Sequence, residues 1–89
     1  TAQQHPFELY PNPLKDDDTL TISPVDPEVF ASCQLEVVSS QGQLLARHSV
    51  KFDWLNPTYK ADLSRLAAGL YYIRVMSEKR RYTYKVVKL

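Results

Sequence analysis

The side chains with the widest chemical repertoire in this chain are a single cysteine, Cys33, and two histidines, His5 and His48. A catalytic thiol needs a neighbouring base and an electropositive setting, and no motif around Cys33 supplies either. The two histidines lie far apart in the sequence and have no His or Cys companions at metal-ligand spacing. We therefore predict that Cys33 is a small buried apolar residue and that His48 is a hydrogen-bonded residue at the edge of the core.

Other reactive residue types also lack the pattern that their chemistry requires. The acidic run at residues 16–18 offers carboxylates, but a calcium loop needs spaced oxygen ligands and a turn glycine, so we predict a solvated acidic loop. Ser39, Ser40 and Ser64 have no flanking glycines of the kind that form a nucleophile elbow. Two glycines in the whole chain cannot build a phosphate-binding loop. The sequence thus predicts no catalytic residue, no metal site and no cofactor, and it argues against an enzyme.

Charge is distributed unevenly along the chain. Residues 1–44 contain seven acidic residues and one lysine, a net charge of −6, whereas residues 45–89 contain ten Lys and Arg and three acidic residues, a net charge of +7. A basic patch that meets an anionic surface and a merely solvated basic face both fit this pattern. The basic run 79–81, followed by Tyr82 and Tyr84, imitates a nucleic-acid surface. A charged hairpin on a core-facing strand explains it better, so no nucleic-acid partner is predicted.

The elements that must position these residues are strands, because apolar and polar residues alternate and helical periodicity is nearly absent. Turn formers separate the segments: Pro11 and Pro13 end the first, and Gly42 allows a positive φ between two others. This pattern predicts an all-β fold, an Ig-like antiparallel β-sandwich of about seven strands. The predicted strands are Phe7–Tyr10, Thr19–Ser23, Cys33–Ser39, Leu44–Phe52, Thr58–Leu63, Leu70–Met76 and Arg81–Leu89.

The connections carry further predictions. The Pro-containing stretch 24–32 is expected to cross from one sheet to the other, and residues 78–80 are expected to form a tight polar hairpin. Residues 62–66 are expected to make one helical turn capped by Asp62 or Ser64. In the fourth strand, Leu44, Ala46, Val50 and Phe52 are expected on the inner face. Residues 1–89 are predicted to be one domain, cut from a longer exported protein.

Three pieces of the sequence, in order, carry a resemblance to a known family. The first is Phe7-Glu8-Leu9-Tyr10-Pro11-Asn12-Pro13 with the strand residues 20–22, and the second is residues 35–38 followed by Gly42. The third is Asp62-Leu63-Ser64-Arg65-Leu66-Ala67-Ala68-Gly69-Leu70-Tyr71, with Tyr84-Lys85-Val86-Val87-Lys88-Leu89 ending the chain. Together they resemble the type A C-terminal sorting domains of the type IX (Por) secretion system of Bacteroidetes-type bacteria. The chain departs from the family pattern at Ala61, where a larger apolar residue is usual, and in its charged 15–18 link.

The resemblance implies a secretion signal. It implies a cargo protein that enters the periplasm, is recognised by the type IX translocon and an outer-membrane shuttle protein, and passes to the outer membrane, the cell surface or the extracellular space. A sortase-like protease then commonly removes the domain, and the cargo is attached to anionic lipopolysaccharide or released. The recognition residues that the resemblance implies are Tyr10, Pro11, Asn12, Pro13, Gly69, Tyr71, Lys85, Val86, Val87, Lys88 and Leu89.

Alternatives remain open at this point. Gly69 and Tyr71 either take part in recognition by the export machinery or matter only for folding. If Tyr84 to Leu89 lies at a sheet edge, it can pair with a partner strand, and an exposed C-terminal strand also allows a strand-exchanged homodimer. The rival functions are a retained docking module of the secretion machine and a carbohydrate-binding or adhesion sandwich. The last requires coplanar exposed aromatics, for which the candidates are Trp54, Tyr59 and Tyr82. Trp54 alone is either a surface anchor or a lid on the core.

Overall fold

The computed structural model describes residues 6–15, 18–27, 30–78 and 80–89, and none of these lies in a helix. No helix that is long and apolar enough to cross a membrane is therefore found in these ranges. The predicted all-β fold is confirmed, and the predicted strand ends differ from the observed ones by one residue at most. The strands are β1 (Phe7–Tyr10), β2 (Thr19–Pro24), β3 (Ser32–Ser39), β4 (Leu44–Lys51), β5 (Tyr59–Asp62), β6 (Gly69–Met76) and β7 (Arg81–Lys88).

The strands form two antiparallel sheets of unequal width. One sheet has three strands in the order β1-β2-β5, and the other has four in the order β4-β3-β6-β7. The connection from β2 to β3 passes from the first sheet to the second, as predicted for residues 24–32. This division of strands is Ig-like, because the third, sixth and seventh strands share a sheet that faces the first, second and fifth. β4 and β7 are the edges of the wider sheet.

Alternating residues of both sheets fill the space between them. Leu20 and Ile22 of β2, Ile73 of β6 and Val86 of β7 are completely buried. Full burial of each such side chain contributes about 1.5–3 kcal/mol to folding. The buried cluster comprises Phe7, Leu14, Leu20, Ile22, Phe30, Cys33, Leu35, Val37, Val50, Phe52, Ala61, Leu63, Ile73, Val75 and Val86.

Aromatic rings close the end of the sandwich at which β1 begins. The Phe7 ring centroid lies 4.8 Å from that of Phe30 and 6.2 Å from that of Phe52. Tyr82 and Tyr84 of β7 approach Phe7 edge-on at 5.9 and 6.3 Å. Edge-to-face contacts of this kind add to the stabilisation that burial of the rings supplies. We call this end, with Phe7, Phe30 and Phe52 at its centre, the aromatic end.

A β-bulge changes the face on which β4 begins. Val37 pairs with Ala46, but Val38 pairs with Leu44, so one extra residue is accommodated on β4. Leu44 is therefore opposite Val38, which lies on the outer face of the sheet, and 47% of Leu44 is exposed. The prediction that Leu44 joins Ala46 on the inner face is wrong, because alternation alone does not register an inserted residue.

His48 lies on the inner side of β4, as predicted, but it is exposed. It pairs with buried Leu35 of β3, and its ring centroid lies 6.1 Å from that of Tyr59 on the opposite sheet. Exposure follows from the width of the sheets, since three strands cannot cover the edge strand of four. Its predicted position at the edge of the core is confirmed, whereas the predicted hydrogen bond of its side chain is not seen within the described residues.

The predicted hairpin at residues 78–80 is present, and the turn predicted at residues 62–66 is present as a hydrogen-bonded turn that is not helical. The Asp62 carboxylate accepts a hydrogen bond from the Ser64 N–H at 2.9 Å, and the Leu66 N–H donates to the Leu63 carbonyl at 3.1 Å. Hydrogen bonds from Ser64 lower the pKa of Asp62. Asp62 is thus the capping residue of the turn. The Ser77 N–H donates to the Arg80 carbonyl at 2.9 Å and closes the predicted hairpin, of which Lys79 lies outside the described residues.

Candidate recognition surface

The Pro-Asn-Pro turn lies against the C-terminal strand. After β1, the Tyr10–Pro11 and Asn12–Pro13 peptide bonds are both cis. The Asn12 side-chain Nδ2 donates to the Lys85 carbonyl at 2.8 Å, and its Oδ1 accepts from the Val87 N–H at 3.2 Å. One amide side chain therefore satisfies a donor and an acceptor at the edge of β7, as a neighbouring strand does.

Leu14 continues this contact with its backbone. Its N–H donates to the Val87 carbonyl, and its carbonyl accepts from the Leu89 N–H, both at 2.8 Å. The result is a parallel bridge to Lys88, and the Leu14 side chain is almost completely buried. The outer edge of β7 is thus covered between Lys85 and Leu89. β7 is an edge strand of the wider sheet, the condition under which the terminal strand could pair with a partner, but a distant segment of the same chain already pairs with this part of its outer side.

Lys88 connects β7 to the turn that follows β5. Only 8% of Lys88 is exposed, and its Nζ donates to the carbonyls of Leu63 at 2.8 Å and Leu66 at 2.5 Å. The Asp18 carboxylate lies 3.5 Å from the same nitrogen, and the Leu63 N–H donates to the Asp18 carbonyl at 2.8 Å. Buried cations require such partners, so this lysine holds three segments together.

Gly69 and Tyr71 flank β7 on its other side. Gly69 pairs with Lys88 and Tyr71 pairs with Val86. Gly69 has φ +153°, and no atom lies within 4 Å of the position that a Cβ would take. A special backbone conformation, and not a close approach, therefore explains the glycine. The buried Tyr71 donates its O–H to the Ala67 carbonyl at 2.6 Å, the arrangement of the tyrosine corner of Ig-like sandwiches.

Every residue that the resemblance singled out for recognition lies at this end, but not all are accessible. Val86 and Lys88 are buried. Gly69 and residues 10–13 are exposed, as are Lys85 and Leu89, the last at 62%. We call the exposed side chains of residues 10–13, Lys85 and Leu89 the proline-turn surface. Sequence reasoning missed the bridging role of Leu14 and the burial of Lys88. The alternation of Tyr82, Tyr84 and Val86 was the signal for Lys88, since it places position 88 on the inner face.

Positive charge collects on the outer face of the wider sheet. Glu36 is almost completely buried there, between the guanidinium groups of Arg47 at 2.8 Å and Arg74 at 3.1 Å. The strand registers place Lys51, Arg81 and Lys85 on the same face. We call it the basic face, and its cations are Arg47, Lys51, Arg74, Arg81 and Lys85.

One acid thus faces five cations on the basic face. The sequence-level charge asymmetry therefore survives folding as a property of one surface. This outcome is specific to the topology, because β4, β6 and β7 come from the basic part of the chain and lie in one sheet.

The reactive residue types lie where they cannot cooperate. Cys33 is buried, its Sγ lies 3.3 Å from the Phe30 carbonyl, and burial raises the pKa of its thiol, so it is held as an unreactive thiol. No group of three His, Cys, Asp or Glu side chains that could hold a metal ion occurs within the part of the chain that the structure describes. His5, Asp16 and Asp17 lie outside it.

The aromatic candidates for carbohydrate binding do not form a platform. Trp54 is 63% exposed, so the interpretation of this residue as a lid is wrong. Tyr82 packs edge-on against Phe7 and Phe30, and Tyr59 contacts His48, so both are half-buried. The three rings therefore do not share the exposed plane that sugar stacking requires.

Comparisons with known proteins agree with the sequence resemblance. The family model described as "Secretion system C-terminal sorting domain" matches residues 8–89. Karilysin from Tannerella forsythia is 31% identical over 87 residues, which cover 93% of this chain and 18% of that protein. The chain thus spans less than a fifth of the length of this curated relative.

Proposed function

This chain belongs to the family of secretion system C-terminal sorting domains, and from this premise we propose that the proline-turn surface is the part of the chain that the type IX machinery contacts. The chain is a C-terminal sorting signal for type IX secretion, and the machinery recognises it. A protein that carries it is exported across the outer membrane to the cell surface or the extracellular space.

One observation supports this location above others: three segments that are distant in the sequence, residues 12–14, residues 69–71 and β7 itself, are bonded to one another here. Asn12 and Leu14 bind one edge of the strand, and Gly69 and Tyr71 pair along the other. Because the pieces are distant in the chain, this surface exists only in the folded domain. A secretion machine that contacts it therefore distinguishes a folded signal from an unfolded one.

The burial pattern divides the predicted recognition residues into two groups. Tyr10, Pro11, Pro13, Lys85 and Leu89 are exposed, and we assign them direct contact with the machinery. The second group acts through folding. Asn12 and Gly69 set the backbone on either side of β7, Val87 is half-buried beside them, and Tyr71, Val86 and Lys88 are buried.

We assign finer partners from the family. These are the type IX translocon, an outer-membrane shuttle protein and a sortase-like protease that removes the domain before attachment of the cargo to anionic lipopolysaccharide. Residues 1–89 then act as one non-catalytic domain of a longer exported protein. Removal is tested by the mass of the mature protein at the cell surface, which falls by about 10.3 kDa if the domain is cleaved and is unchanged if it is retained as a docking module.

The location of the surface is tested with a periplasmic reporter fused to residues 1–89 in a strain with type IX secretion. Leu89→Ser alters an exposed apolar residue of the proline-turn surface, and Leu55→Ser alters one that is 90% exposed in the connection between β4 and β5. Both variants should unfold at the same denaturant midpoint as the parent chain, because exposed side chains contribute little to stability.

We expect the Leu89→Ser fusion to accumulate in the periplasm and the Leu55→Ser fusion to reach the surface. Equal surface delivery of the two would contradict the proposed location. A parent fusion that stays in the periplasm, in a strain that exports an established sorting domain, would contradict the sorting function itself.

A further inference from the structure

The outer edge of β7 is covered along only part of its length. The groups bonded to Asn12 and Leu14 are the carbonyls of Lys85 and Val87 and the N–H groups of Val87 and Leu89. Odd-numbered residues of β7 thus direct their backbone groups away from β6. Since this direction alternates along a strand, the N–H and carbonyl groups of Arg81 and Thr83 and the Lys85 N–H point outward as well.

These remaining groups form an open edge. β6 pairs with the inner side of β7 here, and no backbone segment within the described ranges bonds to the outward groups of Arg81 and Thr83. A row of unpaired N–H and C=O groups is a template for another strand. The edge carries no proline or bulge between Arg81 and Lys85. Its charged side chains, Arg81 and Lys85, oppose pairing with a strand of like charge and so favour an acidic one.

The side chains along the open edge define the chemistry of a strand that fits it. Arg81, Thr83 and Lys85 are exposed on the basic face. Tyr82 and Tyr84 are half-buried on the opposite side and line the entrance to the core beside Phe7. An added strand would therefore place one set of alternate side chains beside cations and the other beside aromatic rings.

We propose that an extended segment of a type IX component, acidic on one face and apolar on the other, adds to β7 between Arg81 and Lys85. The proposal rests on the sorting function given above and extends it to the class of partner. Backbone hydrogen bonds supply the affinity in this mode of recognition, and the alternating pockets and charges supply the specificity. The charge on the basic face disfavours a second copy of this chain as the occupant, since two such faces repel.

Substitution of one residue by proline or by alanine distinguishes the contribution of its backbone N–H from that of its side chain. Thr83→Pro removes an outward N–H without removing a bond to β6, and proline is tolerated at such edge positions. Thr83→Ala keeps the N–H. Ser49→Pro is the matched control on β4, the opposite edge of the sheet. The registers of β7 with β6, β6 with β3 and β3 with β4 show that the Ser49 N–H points away from β3, as the Thr83 N–H points away from β6. Denaturant unfolding of each variant verifies that the chain folds.

The fusion assay described above provides the readout. We expect Thr83→Pro to retain the reporter in the periplasm, and Thr83→Ala and Ser49→Pro to deliver it to the surface. Delivery of Thr83→Pro at the parent level would overturn the inference while leaving the sorting function intact. Loss of delivery with Thr83→Ala or Ser49→Pro would also overturn it, since the effect would then not belong to the backbone of this edge. Failure of the parent fusion overturns the sorting function and the inference together.

Charge reversal gives a second test that does not depend on the fold of a proline variant. Arg81→Glu places an acid at the open edge, whereas Lys60→Glu makes the same change on the exposed face of the three-stranded sheet. We expect delivery to fall with Arg81→Glu and to persist with Lys60→Glu, the difference being largest at low ionic strength. Equal delivery by both variants would overturn the assignment of an acidic partner.

Discussion

The two ends of the sandwich are built from different interactions. At the aromatic end, Phe7, Phe30 and Phe52 pack as a non-polar cluster. At the other end, Asn12 and Lys88 join distant segments through hydrogen bonds to backbone atoms. Apolar packing is strong but tolerant of shape, whereas hydrogen bonds impose one geometry. The comparison indicates that the aromatic end supplies stability and the polar end supplies the defined surface that a partner recognises.

The largest effect is expected at the aromatic end. Phe7→Ala removes a ring that is 97% buried, so we expect a loss of about 3–5 kcal/mol in the free energy of unfolding, measured by denaturant titration. Val25→Ala, at a position that is 52% exposed, should change it by less than about 0.5 kcal/mol. A loss below about 1 kcal/mol for Phe7→Ala would show that the cluster does not dominate stability.

Lys88→Met tests the polar end with a side chain of similar length. It removes the donor to Leu63 and Leu66, and bonds that involve a charged group are worth about 1.5–3 kcal/mol, so we expect a loss of about 2 kcal/mol. Lys85→Met, on an exposed position of the same strand, is the control and should be nearly neutral. Equal unfolding free energies for the two variants would contradict a structural role of Lys88.

Asn12→Ala should have a smaller effect on stability. It removes two hydrogen bonds that are exposed to solvent, so water replaces part of them and we expect a loss of about 1 kcal/mol. Amide hydrogen exchange localises the change: the Val87 N–H should lose protection, while the Tyr84 N–H, directed towards β6, should keep it. Unchanged exchange at Val87 would mean that the proline turn is held to β7 by other contacts.

The smallest effect concerns alkaline pH. Burial raises the pKa of Tyr84, whose hydroxyl accepts the Phe7 N–H at 3.2 Å. A folded pKa above the unfolded value of about 10 means that the neutral hydroxyl is favoured in the fold. Its contribution is complete below about pH 10 and is lost as the pH rises through the folded pKa. Tyr84→Phe should reduce this loss of stability above about pH 10, and an identical pH profile for both chains would contradict the assignment.

Much of this architecture follows from local patterns. Alternation predicts all seven strands and the inner positions of residues such as Leu20 and Ile73, because the side chains of a half-buried strand alternate between core and solvent. The same alternation along β7 also indicates that Lys88 is buried, although a lysine is usually exposed. The bridge between Leu14 and Lys88 has no such signal, since it pairs residues 74 positions apart through backbone atoms common to every residue.

The sequence identifies the residues of the candidate site but not the contacts between them, because contacts between distant segments leave no local pattern. The residues of the Pro-Asn-Pro turn and the C-terminal strand were identified by resemblance, but their mutual contact is a property of the fold. Alternation predicted β7, yet the partial cover of its edge depends on where the chain turns after β1. The bulge opposite Val37 and Val38 likewise leaves no trace in the pattern, because one inserted residue shifts the faces beyond it.

The central claim, that recognition depends on the proline-turn surface and not on stability in general, is tested by two variants of matched stability. Asn12→Ala releases the turn from β7, and Phe52→Leu, which trims the buried ring at the aromatic end, should cost a similar amount, about 1 kcal/mol. The measurement is the surface fraction of the reporter fused to each variant, with equal unfolding free energies verified first. The account predicts that Phe52→Leu reaches the surface and Asn12→Ala stays in the periplasm. Equal surface fractions for the two variants would contradict it.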